Sequence, residues 1–190
     1  IVHNTITPVK KASYYKTSTA QKRIYYASQL AGEKTLSYNI SGGIILDSTL
    51  NVCKLQNCIN KLVKRHISLR TYFEIVNNEI VQKIDDTLNI NVETINCKES
   101  QLEEVFKNFA KAFDLSKAPL ARFMYVNFEN GKSAFLINTH HIISDGSSIS
   151  LLINELCQLY NDIELTEHKI HYIDFANWEN EQLKTNSYEK

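Results

Sequence analysis

The chain has 190 residues, the size of one domain or of one lobe of a larger enzyme. Its hydrophobic fraction of 43% and charged fraction of 22% exclude wholesale disorder and leave enough apolar material for a core without staples. With 21 basic and 21 acidic residues the formal net charge is zero, so there is no basic footprint for nucleic acid or an anionic membrane.

Cys53, Cys58, Cys97 and Cys157 form no C-x-x-C pair. They read as buried free thiols of a reducing, cytoplasmic compartment, and no metal site is expected. No stretch approaches the ~20 apolar residues of a membrane helix. The start, Ile1 to Pro8, is no signal peptide and lacks an initiator Met, and the chain stops in a polar run, Thr185 to Lys190. The expectation is a piece cut from a longer protein, with residues 1–15 as a lead-in and 16–190 as one lobe.

The first helix is announced by the capping box Ser18-Thr19-Ala20-Gln21 and runs to about Leu30, with Gly32 just past its end. Tyr38 to Leu46 reads as a strand. Asp47 or Ser48 then caps a long helix whose apolar positions, Val52 to His66, recur at three- and four-residue steps. His66 falls on that apolar face and is expected to be a packed core histidine. Leu69 to Ile75 and Ile80 to Ile84 form a hairpin around Asn77-Asn78, and Leu88 to Thr94 alternates like a further strand. Ser100 to Glu103 is a second capping box, opening a helix to about Phe113. Phe123 to Phe128 and Ala134 to Thr139 are strands joined at Asn130-Gly131. Helices over about 147–160 and 175–183 complete the chain. Strands and helices are mixed, so the class is α+β.

Residues 139 to 148 read Thr-His-His-Ile-Ile-Ser-Asp-Gly-Ser-Ser. A hydrophobic strand delivers two adjacent histidines at its end. Side chains alternate along a strand, so His140 and His141 face opposite sides and cannot chelate one metal together. Asp145 and Gly146 turn the chain into a helix, whose start leaves N–H groups free for a developing negative charge. A neutral imidazole beside free N–H groups suits acyl transfer: a base for the nucleophile and donors for the oxyanion.

With these residues in view, the chain resembles the condensation domains of nonribosomal peptide synthetases. His140 to Gly146 matches that family's HHxxxDG motif. Ser18 to Arg23 is similar to SxAQxR, and Arg65 to Phe73 to RHxxLRTxF, with Ile67 where Glu is usual. Phe113 to Leu120 is similar to FDLSxxPL, and Tyr172 to Trp178 to YxDFAxW. Five matches in order are far more specific than any one of them. The family's domain has two lobes of chloramphenicol acetyltransferase-like fold with a tunnel between them. The matches here fall within the first lobe, and the C-terminal lobe has no counterpart in these 190 residues.

The resemblance implies a two-layer α/β sandwich with a mixed, largely antiparallel sheet. It implies amide-bond formation between a donor thioester and an aminoacyl amine, each tethered to the 4'-phosphopantetheine of a carrier protein, and no cofactor bound by this lobe. Upstream and downstream carrier proteins, the missing lobe and a neighbouring adenylation domain are the implied partners. His141 is the implied central residue, as general base or as the group that positions the amine, and Gly146 stands beside it, its N–H a candidate oxyanion donor. Asp145 is expected to be buried and paired, with Arg65 the first choice of partner and Arg70 the second. His140 is expected to be structural. Ser144 and Ser148 line the tunnel or cap the helix. His168 and His171 form an H-x-x-H, weak for metal without further ligands. The alternatives are a coenzyme A-dependent chloramphenicol-type acetyltransferase, an epimerization domain, and a non-catalytic lobe that only binds carrier proteins. The lobe alone is expected to be inactive.

Overall fold

The computed structural model describes residues 5–32 and 34–185. Readings that fall on residues 1–4 and 186–190, the beginning of the lead-in and most of the polar tail, lie outside them. In chain order the elements are β1 (Tyr15–Lys16), α1 (Thr19–Ala31), β2 (Asn39–Leu46), α2 (Val52–Arg65), β3 (Thr71–Val76), β4 (Glu79–Ile84), β5 (Glu93–Cys97), α3 (Leu102–Phe109), β6 (Ala121–Phe128), β7 (Ser133–His140), α4 (Gly146–Tyr160) and α5 (Tyr172–Lys184). The strands divide between two sheets. One is the antiparallel trio β1-β4-β3 and the other has the order β2-β7-β6-β5, antiparallel except where β5 runs parallel to β6.

The larger sheet carries the fold. Phe123, Tyr125, Phe135 and Ile137 on one of its faces meet Leu55, Ile59 and Leu62 of α2 and Leu152, Leu156 and Leu159 of α4, the helix-on-sheet layer that was expected; the second helical cover on the other face was not. The opposite face of β6 and β7 is covered by α3, through Val105, Phe106 and Phe109. Strand β7 is buried at every residue. Strand β2 lies so close to it that a Cβ at Gly43 would come within 2.7 Å of the Leu136 side chain and 2.8 Å of the Phe135 carbonyl. A third cluster, with Phe73, Phe113, Leu115, Leu120 and Ile142 at its centre and Ile24 of α1 against it, ties the smaller sheet to the loop after β7.

Local signals held where a backbone requirement stood behind them. Ser18 and Gln21 form the expected capping box, Asn77 and Asn78 both take positive φ at the hairpin tip, and Gly131 turns the β6–β7 hairpin at φ 84°. Five expectations need correction. Ser100 does not cap α3: the chain first makes a short turn over Glu99–Gln101, where Lys98 N–H donates to Gln101 Oε1, and no side chain caps Leu102–Phe109. The cap of α2 is Asn51, whose side chain accepts from Lys54 N–H, so neither Asp47 nor Ser48 serves. The segment 88–92 is not a strand: Ile90 is buried and Leu88 and Val92 pack on the core, but β5 forms only from Glu93. Helix α3 stops at Phe109, because Phe113 turns into a separate cluster. Of the cysteines, all free, only Cys58 is buried, while Cys53 and Cys157 are exposed.

The lead-in is tied down where it is described. Val9 N–H donates to Asp174 of α5 at 2.8 Å, and Lys11 pairs with Asp86 at 2.6 Å. Among the described residues no helix is long and apolar enough to cross a membrane.

Candidate active site

The two histidines at the end of β7 are held in opposite ways. The backbone N–H of His140 donates to Leu120 O and that of His141 to Tyr38 O, so the strand end is gripped from both sides. The His140 ring points inward and is buried, with Phe113 edge-on at 6.2 Å. Its Nδ1 accepts from Ile142 N–H at 3.1 Å, which leaves the ring proton on Nε2, facing Ser28 Oγ at 3.4 Å. Burial, and then the neighbouring His141, lower its pKa to about 4. The His140 ring is thus buried and neutral, facing the interior side of the strand end.

His141 points out to solvent. Its Nδ1 lies 2.8 Å from the carbonyl oxygen of Ser144. A carbonyl only accepts, so Nδ1 carries the proton and, in the neutral ring, Nε2 keeps its lone pair. Adjacent histidines thus hold opposite tautomers, and only His141 presents a free basic nitrogen. Ser144 is fixed in turn: its hydroxyl lies 2.5 Å from Thr139 Oγ1 and donates to His140 O. Its role is to shape the loop that orients His141.

Asp145 departs from expectation. It is exposed, and it is the N-cap of α4, with Oδ1 accepting from the Ser148 N–H, the Ser148 hydroxyl and the Ser147 hydroxyl at 2.6–2.8 Å. In return the Ser148 hydroxyl oxygen accepts from Asp145 N–H, completing a capping box. The bonds from Ser148 and Ser147 lower the carboxyl pKa to about 2. Its charge is satisfied by its own helix start, which is why it needs no buried cation. Ser148 caps, as one of its two readings had it. Gly146 is the first residue of α4 and exposed. Its N–H is one of the first-turn donors that a helix leaves unpaired.

Neither arginine reaches this loop. Arg65 forks onto Glu155 of α4, Nε to Oε2 at 3.0 Å and Nη2 to Oε1 at 3.1 Å, and gives a third bond to Thr166 O. His66 is also drawn into this cluster, with Nε2 2.6 Å from Glu155 Oε2, so it is no apolar core histidine. Burial raises the Glu155 pKa and the bonds from Arg65 and His66 lower it more, leaving it below the ordinary value. Arg70 binds Val63 O and Asp86. Both arginines brace the end of α2 from outside the site.

What the structure adds is convergence. A cavity of about 210 Å³ beside His141 is lined from four of the motif segments: Gln21 from the first, Thr71 from the second, Asp145 from the HHxxxDG loop and Tyr172 from the start of α5. Gln21 Nε2 donates to Gln82 Oε1 at 2.8 Å, and the Tyr172 hydroxyl lies 2.9 Å from Ser18 Oγ. Gln82 carries no motif signal, so only the pairing of β4 with β1 and β3 could have revealed it.

The family model for the condensation domain matches residues 11–190. The chain belongs to the condensation-domain family. It is 41% identical over 174 residues to tyrocidine synthase 2 of Brevibacillus parabrevis, covering 92% of this chain and 5% of that protein. It is 38% identical over 181 residues to surfactin synthase subunit 2 of Bacillus subtilis (strain 168), covering 94% and 5%. Among solved structures, the condensation domain of the monacolin K polyketide synthase MokA superposes with a TM-score of 0.81 at 19% identity, over 93% of this chain and 40% of that one. The chain therefore spans about a twentieth of its curated relatives and two fifths of that solved domain.

Proposed function

We propose that this chain is the N-terminal, motif-bearing lobe of a two-lobed condensation domain, which joins a carrier-bound acyl or peptidyl thioester to a carrier-bound aminoacyl amine. The observation that carries the reading is His141: an exposed imidazole at a helix start whose Nδ1–H is committed to Ser144 O, leaving Nε2 free. The amine nitrogen attacks the thioester carbonyl and its oxygen takes up negative charge. The Gly146 N–H and the positive end of α4 favour that charge. His141 Nε2 accepts the hydrogen bond of the amine and receives its proton as the C–N bond forms. The intermediate then collapses, the C–S bond breaks, and the phosphopantetheine thiolate leaves with that proton. The lobe needs no cofactor of its own, since both substrates arrive on carriers. Its partners are the two carrier proteins, the second lobe and the adjoining adenylation domain, in the cytoplasm. Residues 1–15 are the lead-in and 16–190 the lobe.

The test uses the full-length protein that contains this chain, with donor and acceptor carrier proteins loaded. His141→Ala is expected to fold normally and to lose most amide formation. Near-normal dipeptidyl product would overturn the assignment. The same assay, read for inversion at the donor Cα in place of amide formation, separates this reading from an epimerization domain. The lobe alone, given the same carriers, is expected to form no product, because positioning two tethered substrates supplies much of the rate and half a tunnel cannot do so.

A further inference from the structure

The H-x-x-H of His168 and His171 lacks further ligands in the sequence, but the fold brings two of them. His66 ends α2, Glu155 lies in the middle of α4, and His168 sits in the segment between α4 and α5. His66 Nε2 is 2.6 Å from Glu155 Oε2, and His168 Nε2 is 3.6 Å from Glu155 Oε1. All three ligand atoms lie within 4.8 Å of one another. A second observation concerns hydrogen bonding in place of distance. His168 Nε2 is buried and has no hydrogen-bond partner among the described residues. A buried ring nitrogen left unpaired is uncommon and points to a missing ion or water.

We propose that His66, Glu155 and His168 bind a single divalent transition-metal ion, zinc by preference. Two imidazoles and a carboxylate are the borderline donors that zinc takes, while calcium and magnesium demand oxygen. Bonds of about 2.0–2.2 Å in a tetrahedral site put ligand atoms roughly 3.3–3.6 Å apart. The ligand atoms now span up to 4.8 Å, and His66 and His168 approach different oxygens of Glu155, so closing to that range takes a rotation of the Glu155 carboxylate and of both rings. Burial lowers the pKa of His66 and His168, which favours the neutral form that ligates. His66 gives up its bond to Glu155 and carries its proton on Nδ1, so no proton is lost from the ring. His168 gives up nothing. Arg65 remains behind Glu155 as the outer partner that orients a ligating carboxylate. Its charge opposes the cation, and the cavity of about 680 Å³ that reaches His168 is lined by acids and bases alike, Asp162, Glu164 and Glu167 against Lys61, Lys64 and Arg65, so the attraction rests on the three ligands themselves. The site lies outside the His141 cavity and does not depend on the condensation reading.

The experiment is titration of the chelator-treated chain with Co²⁺, read by visible absorption and by proton NMR, followed by displacement with Zn²⁺. One equivalent is expected, with the low-coordinate d–d bands of Co²⁺ and strongly shifted ring protons from two histidines. His168→Ala should weaken binding at least about tenfold. It strands no partner, so it should fold, and the NMR readout needs no variant at all. Absence of a bound equivalent, no shifted signals from His66 and His168 in the unaltered chain, or undiminished affinity in His168→Ala would each overturn the site.

Discussion

Two carboxylates on α4 stand ten residues apart, about 15 Å along the helix, and they do opposite things. Asp145 is exposed at the helix start and finds every partner within its own first turn. Glu155 has only 5% of its surface exposed and depends on Arg65 and His66 from another helix. A buried charge must recruit partners across elements, and so it fastens elements together. A capping carboxylate fastens only a loop. At Asp145 that loop carries His141 and Gly146, so local order serves the proposed site and the distant ion pair serves the fold.

This contrast is broken most directly at Glu155. Glu155→Ala leaves Arg65, whose side chain is 14% exposed, and His66 facing an empty place. The expected loss is about 3–5 kcal/mol, or roughly 6–20 °C in melting temperature for a chain of this length. Thermal unfolding measures it. If Asp145→Ala proved as costly, the division of labour between the two carboxylates would be wrong.

Titration sharpens the same contrast. His140 has a folded-state pKa of about 4 against an ordinary value of 6.5. The unfolded chain therefore binds the proton first, and stability is lost as pH falls from about 6.5 towards 4, by at most about 3 kcal/mol from this residue. Burial lowers His66, His168 and His171 in the same direction. Asp145, lowered to about 2 from 3.8, gives stability that is lost only as pH drops below its ordinary value. Denaturation midpoints that stay flat between pH 7 and 4.5 would contradict the neutral burial of these rings.

The histidine pair, both hairpins and the start of α4 were legible because each rests on neighbours in sequence. Strand alternation separates His140 from His141, Asn77, Asn78 and Gly131 supply positive φ, and the chain after Ser144 carries its own cap. The partner of Arg65 was not legible. Glu155 looks like any helical acid, and only the packing of α2 on α4 shows it turned inward. Asp145 looked like a candidate for burial because it was placed behind the motif loop, whereas it is exposed and its serine neighbours already satisfy it. The alternation of Leu88, Ile90 and Val92 was real, but it reports packing on the core and not a place in a ladder.

Asp145→Ala should cost about 1 kcal/mol, the ordinary worth of an N-cap, and Asp145→Asn should recover most of it, since Asn caps nearly as well. Chemical denaturation of both variants checks this. A loss of several kcal/mol for Asp145→Ala would mean that the carboxylate has a buried partner after all. If Asp145→Asn restores stability but the full-length protein still forms product slowly, then the charge itself contributes to catalysis.

The smallest effect on stability is expected at Gly146, and it is the most telling about the site. A Cβ there meets nothing within 4 Å, and Gly146 does not have positive φ. Neither strain nor a clash within this lobe calls for glycine, and as the first helical residue Gly is less favourable than Ala by up to about 1 kcal/mol. Gly146→Ala should leave the melting temperature unchanged or raise it slightly. In the full-length protein the same variant is expected to lower amide formation markedly: the space a methyl group would fill is open here, and the proposed function gives it to the substrate or to a second lobe. Full activity in a stable Gly146→Ala protein would show that the glycine serves neither, and would remove Gly146 from the site while leaving His141 in place.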